Sequence, residues 1–270
     1  MMKILCPTDF SDNSKFACEY AVDLGNSMKA KIIFLSAYQV KQSVLVLKSL
    51  DETVKSTTEE DLKEFTKLFK QKIKTSFEPE YVVVSGNTCD CIVNHADKNG
   101  VDLIIMGTKG SSGIINMLLG SVTSDVIKKS NVPVLAIPEI TQYYLPDNTI
   151  LLALDSKGIN SDRSIQLLKR LLSNVDTTID VLHVNIPGEK IELSKTAGKL
   201  VGIVSNIIEI DGLDPVEEIK KYVDDNNIGI LVMVRRKHSY LETLLFETNT
   251  VAELFASNVP LLVLPEMMTN

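Results

Sequence analysis

The sequence predicts an α/β protein built from two tandem, open, five-stranded parallel sheets. Three observations predict it: an internal repeat, short apolar runs alternating with helical patterns, and a glycine-spaced loop after the fourth apolar run of the first copy. The repeat sets the domain count. Residues 3–9 read KILCPTD and residues 149–155 read TILLALD, while residues 130–139 read SNVPVLAIPE and residues 257–266 read SNVPLLVLPE. The copies are offset by 146 residues where they open and by 127 where they close, so the second is shorter, mostly between its second and third strands. Domains are expected over residues 1–141 and 147–268, joined by a linker at 143–147.

In the first copy, strands are expected at residues 4–6, 31–37, 81–84, 103–106 and 132–137, where apolar runs are short and nearly continuous, as in parallel strands covered on both faces. Between the first two, Ser11, Asp12, Asn13 and Ser14 offer helix N-caps. Phe16, Ala17, Tyr20, Ala21 and Leu24 then recur at helical spacing, with Gly25 expected to stop the helix. A charged insertion over 41–77, with Leu62, Phe65, Leu68 and Phe69 at helical spacing, is expected to be a long surface helix preceded by a mobile loop. Further helices are expected at 90–99, ended by Gly100, and at 121–129. The second copy repeats the plan with strands at 150–154, 179–184, 207–210, 230–234 and 259–264. The helix after its first strand carries Ile165, Leu168 and Leu172 on one face. Strand and helix alternation implies right-handed crossovers and a doubly wound sheet.

Composition narrows the function. The 270 residues are 44% hydrophobic and 23% charged, as in globular domains. A net charge of −7 and a pI near 5.1 argue against sequence-independent nucleic-acid binding, which draws on phosphate neutralisation by Lys and Arg. No apolar run approaches the roughly 20 residues that span a bilayer, and Asp9 interrupts the amino-terminal stretch where a secretory signal would still be apolar. A cytoplasmic location is therefore expected, without membrane association. Cys6, Cys18, Cys89 and Cys91 match no zinc or thioredoxin spacing and are expected to be reduced. His95, His183 and His238 are scattered and offer little for a triad or a histidine metal site.

The chemistry concentrates after the fourth strand of copy one, at the carboxyl end of the sheet, where open α/β proteins bind ligands. Gly107 and Gly110 frame GTKG, and Gly120-Ser121-Val122-Thr123 follows nine residues later, giving G-x2-G-x9-G-[ST]. Glycines admit a polyanion to backbone N–H groups, and a helix starting near Ser121 adds free donors and the positive end of its dipole. Ser121 and Thr123 hydroxyls can donate to phosphate oxygens, and Lys109 adds a cation. The spacing differs from a Walker A loop and from a dinucleotide fingerprint after the first strand. The bland alternative is that the glycines are turns and a helix start.

With PTDFS after strand one, then GTKG, GSVTSDVI and SNVPVLAIP in this order, the first copy resembles the universal stress protein family, and the repeat extends the resemblance to both halves. The resemblance implies a Rossmann-like, adenine nucleotide α hydrolase-like fold and an adenine nucleotide ligand. Carried over by motif, it implies that Pro7, Thr8, Asp9 and Ala37 surround the nucleoside, with Met106 and Gly107 alongside. Lys109, Gly110, Gly120, Ser121, Val122 and Thr123 would then meet the ribose and phosphates of ATP. Asp9 can accept from a ribose hydroxyl or join a Mg²⁺ shell through water, or instead cap a helix; the two roles are compatible. The family pairs subunits through the closing strand, so VPVLAIP and VPLLVLP are expected to pair the two copies within one chain as a pseudo-dimer, with a homodimer as a further expectation.

Copy two has Val234-Arg235-Arg236-Lys237 in place of GTKG and Glu247-Thr248 in place of Gly120-Ser121. Side chains there would crowd a phosphate, so ATP is expected in the first domain only. Glu247 is expected to cap its helix and to pair with Arg235, Arg236 or Lys237, the alternative being a solvated basic loop. Three functional readings remain: an ATP-binding regulator of stress physiology with an unknown protein partner, a slow ATPase or other nucleotide-dependent enzyme, and a nucleotide-independent interaction module.

Overall fold

The computed structural model describes residues 1–40, 48–108, 120–138, 149–172, 179–187, 200–236, 239–242 and 259–266. The chain divides into two compact units, the first formed by Met1–Ile114 and Gly120–Val134 and the second chiefly by Leu135–Asn270.

The first half contains β1 (Lys3–Pro7), α1 (Asp12–Met28), β2 (Lys31–Tyr38), α2 (Lys48–Lys70), β3 (Glu80–Ser85), α3 (Thr88–Lys98), β4 (Leu103–Gly107), α4 (Ser121–Lys129) and β5 (Val134–Ile137). Within the first unit the hydrogen-bonded strand order is β3-β2-β1-β4. β1 pairs in parallel with β2, Cys6 opposite Phe34, and with β4, Ile4 opposite Leu103. The order reverses between β1 and β4, so a crevice opens where their carboxyl ends diverge. β1, from Ile4 onward, and β4, throughout, are buried, as strands of a parallel sheet covered by helices on both faces must be.

Gly25 does not stop α1. The helix runs on to Met28 and ends at Lys29, which takes the left-handed conformation at φ 50°. Gly25 is instead a contact position: a Cβ there would strike the side chain of Ile32 on β2. The insertion forms α2 as expected, burying Leu62 and Phe69 but leaving Leu68 exposed. The loop expected before it, at 41–47, lies outside the described residues, as does the linker. α3 begins at Thr88 behind the cap Asn87, whose side chain accepts from the Asp90 N–H, and Gly100 follows at φ 61°.

The second half contains β6 (Thr149–Ala153), α5 (Asp162–Leu172), β7 (Ile179–Asn185), β8 (Val204–Asp211), α6 (Pro215–Asp225), β9 (Ile228–Arg235) and β10 (Leu261–Pro265). Its order is β10-β9-β6-β7-β8, each pair parallel, with the reversal between β6 and β9. β8 stands at one end and is far more exposed than β9, with Ile207, Glu209 and Asp211 all exposed. Among the described residues no helix is long and apolar enough to cross a membrane. All four cysteines are free and buried.

Candidate functional site

The crevice between β1 and β4 is a cavity of about 310 Å³, within the range of small-molecule sites. Pro7, Thr8 and Asp9 reach it from the end of β1, Ala37 from β2, Met106 and Gly107 from β4, and Gly120, Ser121, Val122 and Thr123 from the start of α4. Every candidate residue within the described part of the chain lines this one cavity. Lys109 and Gly110 lie outside the described residues. Four lining residues were not anticipated: Ser14 of α1, Leu35 of β2, and Thr88 and Ile92 of α3. Leu35 sits two positions before Ala37 and therefore on the same face of β2. Thr88 and Ile92 share one face of α3 at four-residue spacing.

The loop after β1 is fixed by hydroxyls. Phe10 N–H donates to Thr8 Oγ1 at 3.0 Å, and Ser14 Oγ donates to the Ser11 carbonyl at 2.9 Å. Thr8 Oγ1 and Ser14 Oγ are 2.9 Å apart, and since the Ser14 proton is engaged, Thr8 is the donor of that pair. The N-cap of α1 is Ser11, which accepts from Ser14 N–H. Asp9 therefore does not cap the helix. Its Oδ1 accepts from Ser11 N–H at 3.2 Å and Ser11 Oγ at 2.6 Å, in an exposed turn at the cavity edge.

At the opposite side, the N-cap of α4 is Gly120, which has no side chain to satisfy the first-turn amides. The helix N-terminus thus turns amide donors and partial positive charge toward the cavity. The Thr123 hydroxyl donates to the Gly107 carbonyl at 2.7 Å. Its proton is thereby committed to the protein rather than to a ligand, contrary to the expectation for Thr123, although its oxygen can still accept. Gly107 is required by packing as well: a Cβ would collide with the Asn13 side-chain amide and lie 3.1 Å from the Asn13 carbonyl oxygen.

In the second unit, the equivalent reversal between β6 and β9 is filled by charge. Arg236, just beyond β9, donates from Nη2 to Asp155 and from Nη1 to Glu266 Oε2 at 2.8 Å and to the Gly158 carbonyl at 2.6 Å. All three side chains are below 10% exposed. Asp155 Oδ1 also accepts from Lys157 N–H, and Glu266 Oε1 from the amides of Asn160 and Ser161. The solvated-loop alternative is therefore wrong for Arg236, and burial pulls the guanidinium of Arg235 below its ordinary range. Glu247 lies outside the described residues. Nothing in the local sequence announces this cluster, because its partners are 30 and 81 positions from Arg236.

Among the described residues no group of three or more His, Cys, Asp or Glu side chains is arranged to hold a metal ion. Asp9 is the acidic residue in the cavity lining, which fits a hydrated Mg²⁺ that takes one carboxylate and otherwise water and phosphate.

The model of the universal stress protein family matches residues 1–138. A universal stress protein of Methanocaldococcus jannaschii, MJ0577, is 33% identical over 152 residues, covering 50% of this chain and 93% of that protein. YxiE of Bacillus subtilis, also a universal stress protein, is 30% identical over 146 residues, covering 50% and 97%. The crystal structure of a universal stress protein from Archaeoglobus fulgidus superposes with a TM-score of 0.72, covering 97% of both chains at 22% identity, which extends the likeness of fold to the second half. The chain belongs to the universal stress protein family.

Proposed function

We propose that the first unit is an ATP-binding regulatory module of the stress response and that the cavity between β1 and β4 holds the nucleotide. The observation that carries this reading is convergence: residues from β1, β2, α3, β4 and α4, far apart in sequence, meet at one cavity at the strand-order reversal. The cavity has two chemistries. Pro7, Leu35, Ala37, Ile92 and Met106 supply an apolar side suited to a planar base. The glycine-capped start of α4 supplies donors for phosphate oxygens, and Lys109 and Gly110 are proposed to extend that cradle. Asp9, already oriented by Ser11, accepts from ribose hydroxyls or from water on Mg²⁺. Bound Mg²⁺ would neutralise phosphate charge; the chain's own part is to position the ligand. The stress role itself rests on family membership.

Restriction of ATP to the first domain is supported by Arg236, which occupies the corresponding crevice of the second unit together with two carboxylates. The apolar closing segments VPVLAIP and VPLLVLP support pairing of the two copies and further homodimerisation, to be checked by light scattering of wild type and edge-strand variants. The domain limits of 1–141 and 147–268 and the cytoplasmic location are proposed on the same sequence grounds.

Calorimetric titration with ATP and Mg²⁺ is expected to show one site per chain, and ATP at about 100 times its Kd should stabilise the folded state by about 2.7 kcal/mol. Gly120→Glu puts a carboxylate where phosphate would lie and should weaken binding by at least about tenfold, the loss of one charge-assisted hydrogen bond. Absence of binding, or affinity indifferent to Gly120→Glu, refutes the assignment. Steady turnover abolished by the same substitution would make the protein an ATPase instead.

A further inference from the structure

Helix α2 is not part of the cavity, yet it touches the loop that builds one wall of it. Phe10 lies between Thr8, Asp9 and Ser14, all of which line the cavity, and its φ of 64° is left-handed. A bulky L-residue rarely adopts that conformation, because its Cβ crowds the backbone, and holds it only when surrounding contacts over-determine it. The contact here is Phe65 of α2, whose ring meets that of Phe10 edge to face with centroids 5.5 Å apart.

Phe65 is itself anchored. It packs edge to face on Phe69 at 5.4 Å, Phe69 stacks on Phe34 of β2 at 5.7 Å, and Phe34 stacks on Tyr81 of β3 at 6.2 Å. Phe34 and Phe69 are fully buried. A continuous run of rings thus connects the sheet core, through one face of α2, to the single strained residue of the ligand loop. The opposite face of α2 carries exposed Asp61, Lys63, Glu64, Lys67 and Lys70.

We propose that Phe65 is a positioning residue: by packing on Phe10 it holds the loop after β1 in its left-handed turn, and so couples the placement of α2 to the orientation of Thr8 and Asp9 in the ligand cavity. Displacing α2 would release Phe10 toward ordinary backbone and undo the Phe10-to-Thr8 and Ser11-to-Asp9 hydrogen bonds. The effect on affinity rests on the ATP reading given above; the mechanical coupling does not.

Two measurements on the full chain separate these. The first is amide exchange by NMR without nucleotide, read at Ser11, whose N–H donates to Asp9. Phe65→Ala should accelerate it about three- to tenfold, the range of an aromatic pair contact, while Phe65→Leu should do less. Phe10→Gly adopts the left-handed turn without strain, so adding Phe65→Ala to it should change exchange little. The second is ATP affinity, which should fall in the same order and recover in the same background. Unchanged Ser11 exchange in Phe65→Ala overturns the coupling. So does an equal acceleration with Gly at position 10, which would mark general destabilisation. If Phe65→Ala does not fold, the Leu variant carries the same comparison. Should Ser11 exchange respond as expected while wild type fails to bind ATP, the coupling is upheld and the nucleotide assignment is what fails.

Discussion

Replacing Arg236 by Met removes one cation from between two buried carboxylates, and the cost follows from that geometry. Asp155 and Glu266 are 8% and 7% exposed, so neither can regain much hydration when the guanidinium leaves. Three charge-assisted or polar hydrogen bonds disappear, to Asp155, Glu266 and the Gly158 carbonyl. Breaking a buried ion group by removing one partner costs about 3–5 kcal/mol, because the uncompensated charges remain behind. For a unit of this size that corresponds to a fall in melting temperature of roughly 10–15 °C, measurable by scanning calorimetry. The decisive control neutralises all three groups together, as Arg236→Met with Asp155→Asn and Glu266→Gln. Replacing a whole buried ion cluster is often close to neutral, so the triple variant should recover most of the loss. A single variant within about 1 kcal/mol of wild type, or a triple variant as unstable as the single, would refute the claim that this cluster is a desolvated, mutually compensating unit.

The first unit supports two more expectations. Gly107→Ala drives a Cβ into the Asn13 amide, and β4 cannot easily retreat because the Gly107 carbonyl is held by Thr123; urea unfolding should show a loss of about 1–3 kcal/mol. Asn13→Ala in the same chain should restore part of it, and no restoration would place the strain elsewhere. Tyr20 is buried with a hydroxyl that finds no hydrogen-bond partner among the described residues, and burial pushes its pKa up. Below about pH 10 both folded and unfolded states keep the phenol proton. Above it the unfolded state ionises first, so stability falls as pH rises. Tyr20→Phe should therefore be neutral or stabilising at pH 7 and should flatten the alkaline limb of a denaturation series. An unchanged alkaline limb would assign that limb to other groups.

The strand plan was readable because parallel strands covered on both faces have to be apolar, and the runs at β1, β2, β4 and β9 are nearly uninterrupted. The glycine-marked start of α4 was readable for a related reason, since a helix entry without a side-chain cap is conspicuous in sequence. Gly25 misled because a glycine at a helix end and a glycine under a neighbouring side chain look alike along the chain; only the Ile32 contact separates them. Ser11, the first of the four cap candidates at 11–14, caps α1, and the alternative of Asp9 as cap fails because the helix begins at Asp12; the choice within such a run of cap-forming residues is made by the fold and not by local sequence. Thr88 lies outside the helix expected at 90–99 because α3 begins two residues earlier, and Ile92, inside it, is invisible as a lining residue because nothing local shows which side of that helix meets the crevice. The Arg236 cluster had no local signature, since its components lie on the ends of different strands.

The end strand of the second sheet has a consequence for how this acidic chain tolerates crowding. Along β8, Glu209 and Asp211 project from backbone that stands last in its ladder, while Asn206 and Asn185 are engaged across the neighbouring strand with Asp180 and Asp211. A foreign strand seeking to extend the ladder must bring its own side chains beside two carboxylates, and an identical strand would bring two more. The charge thus discourages runaway sheet growth at the place where the backbone would otherwise invite it.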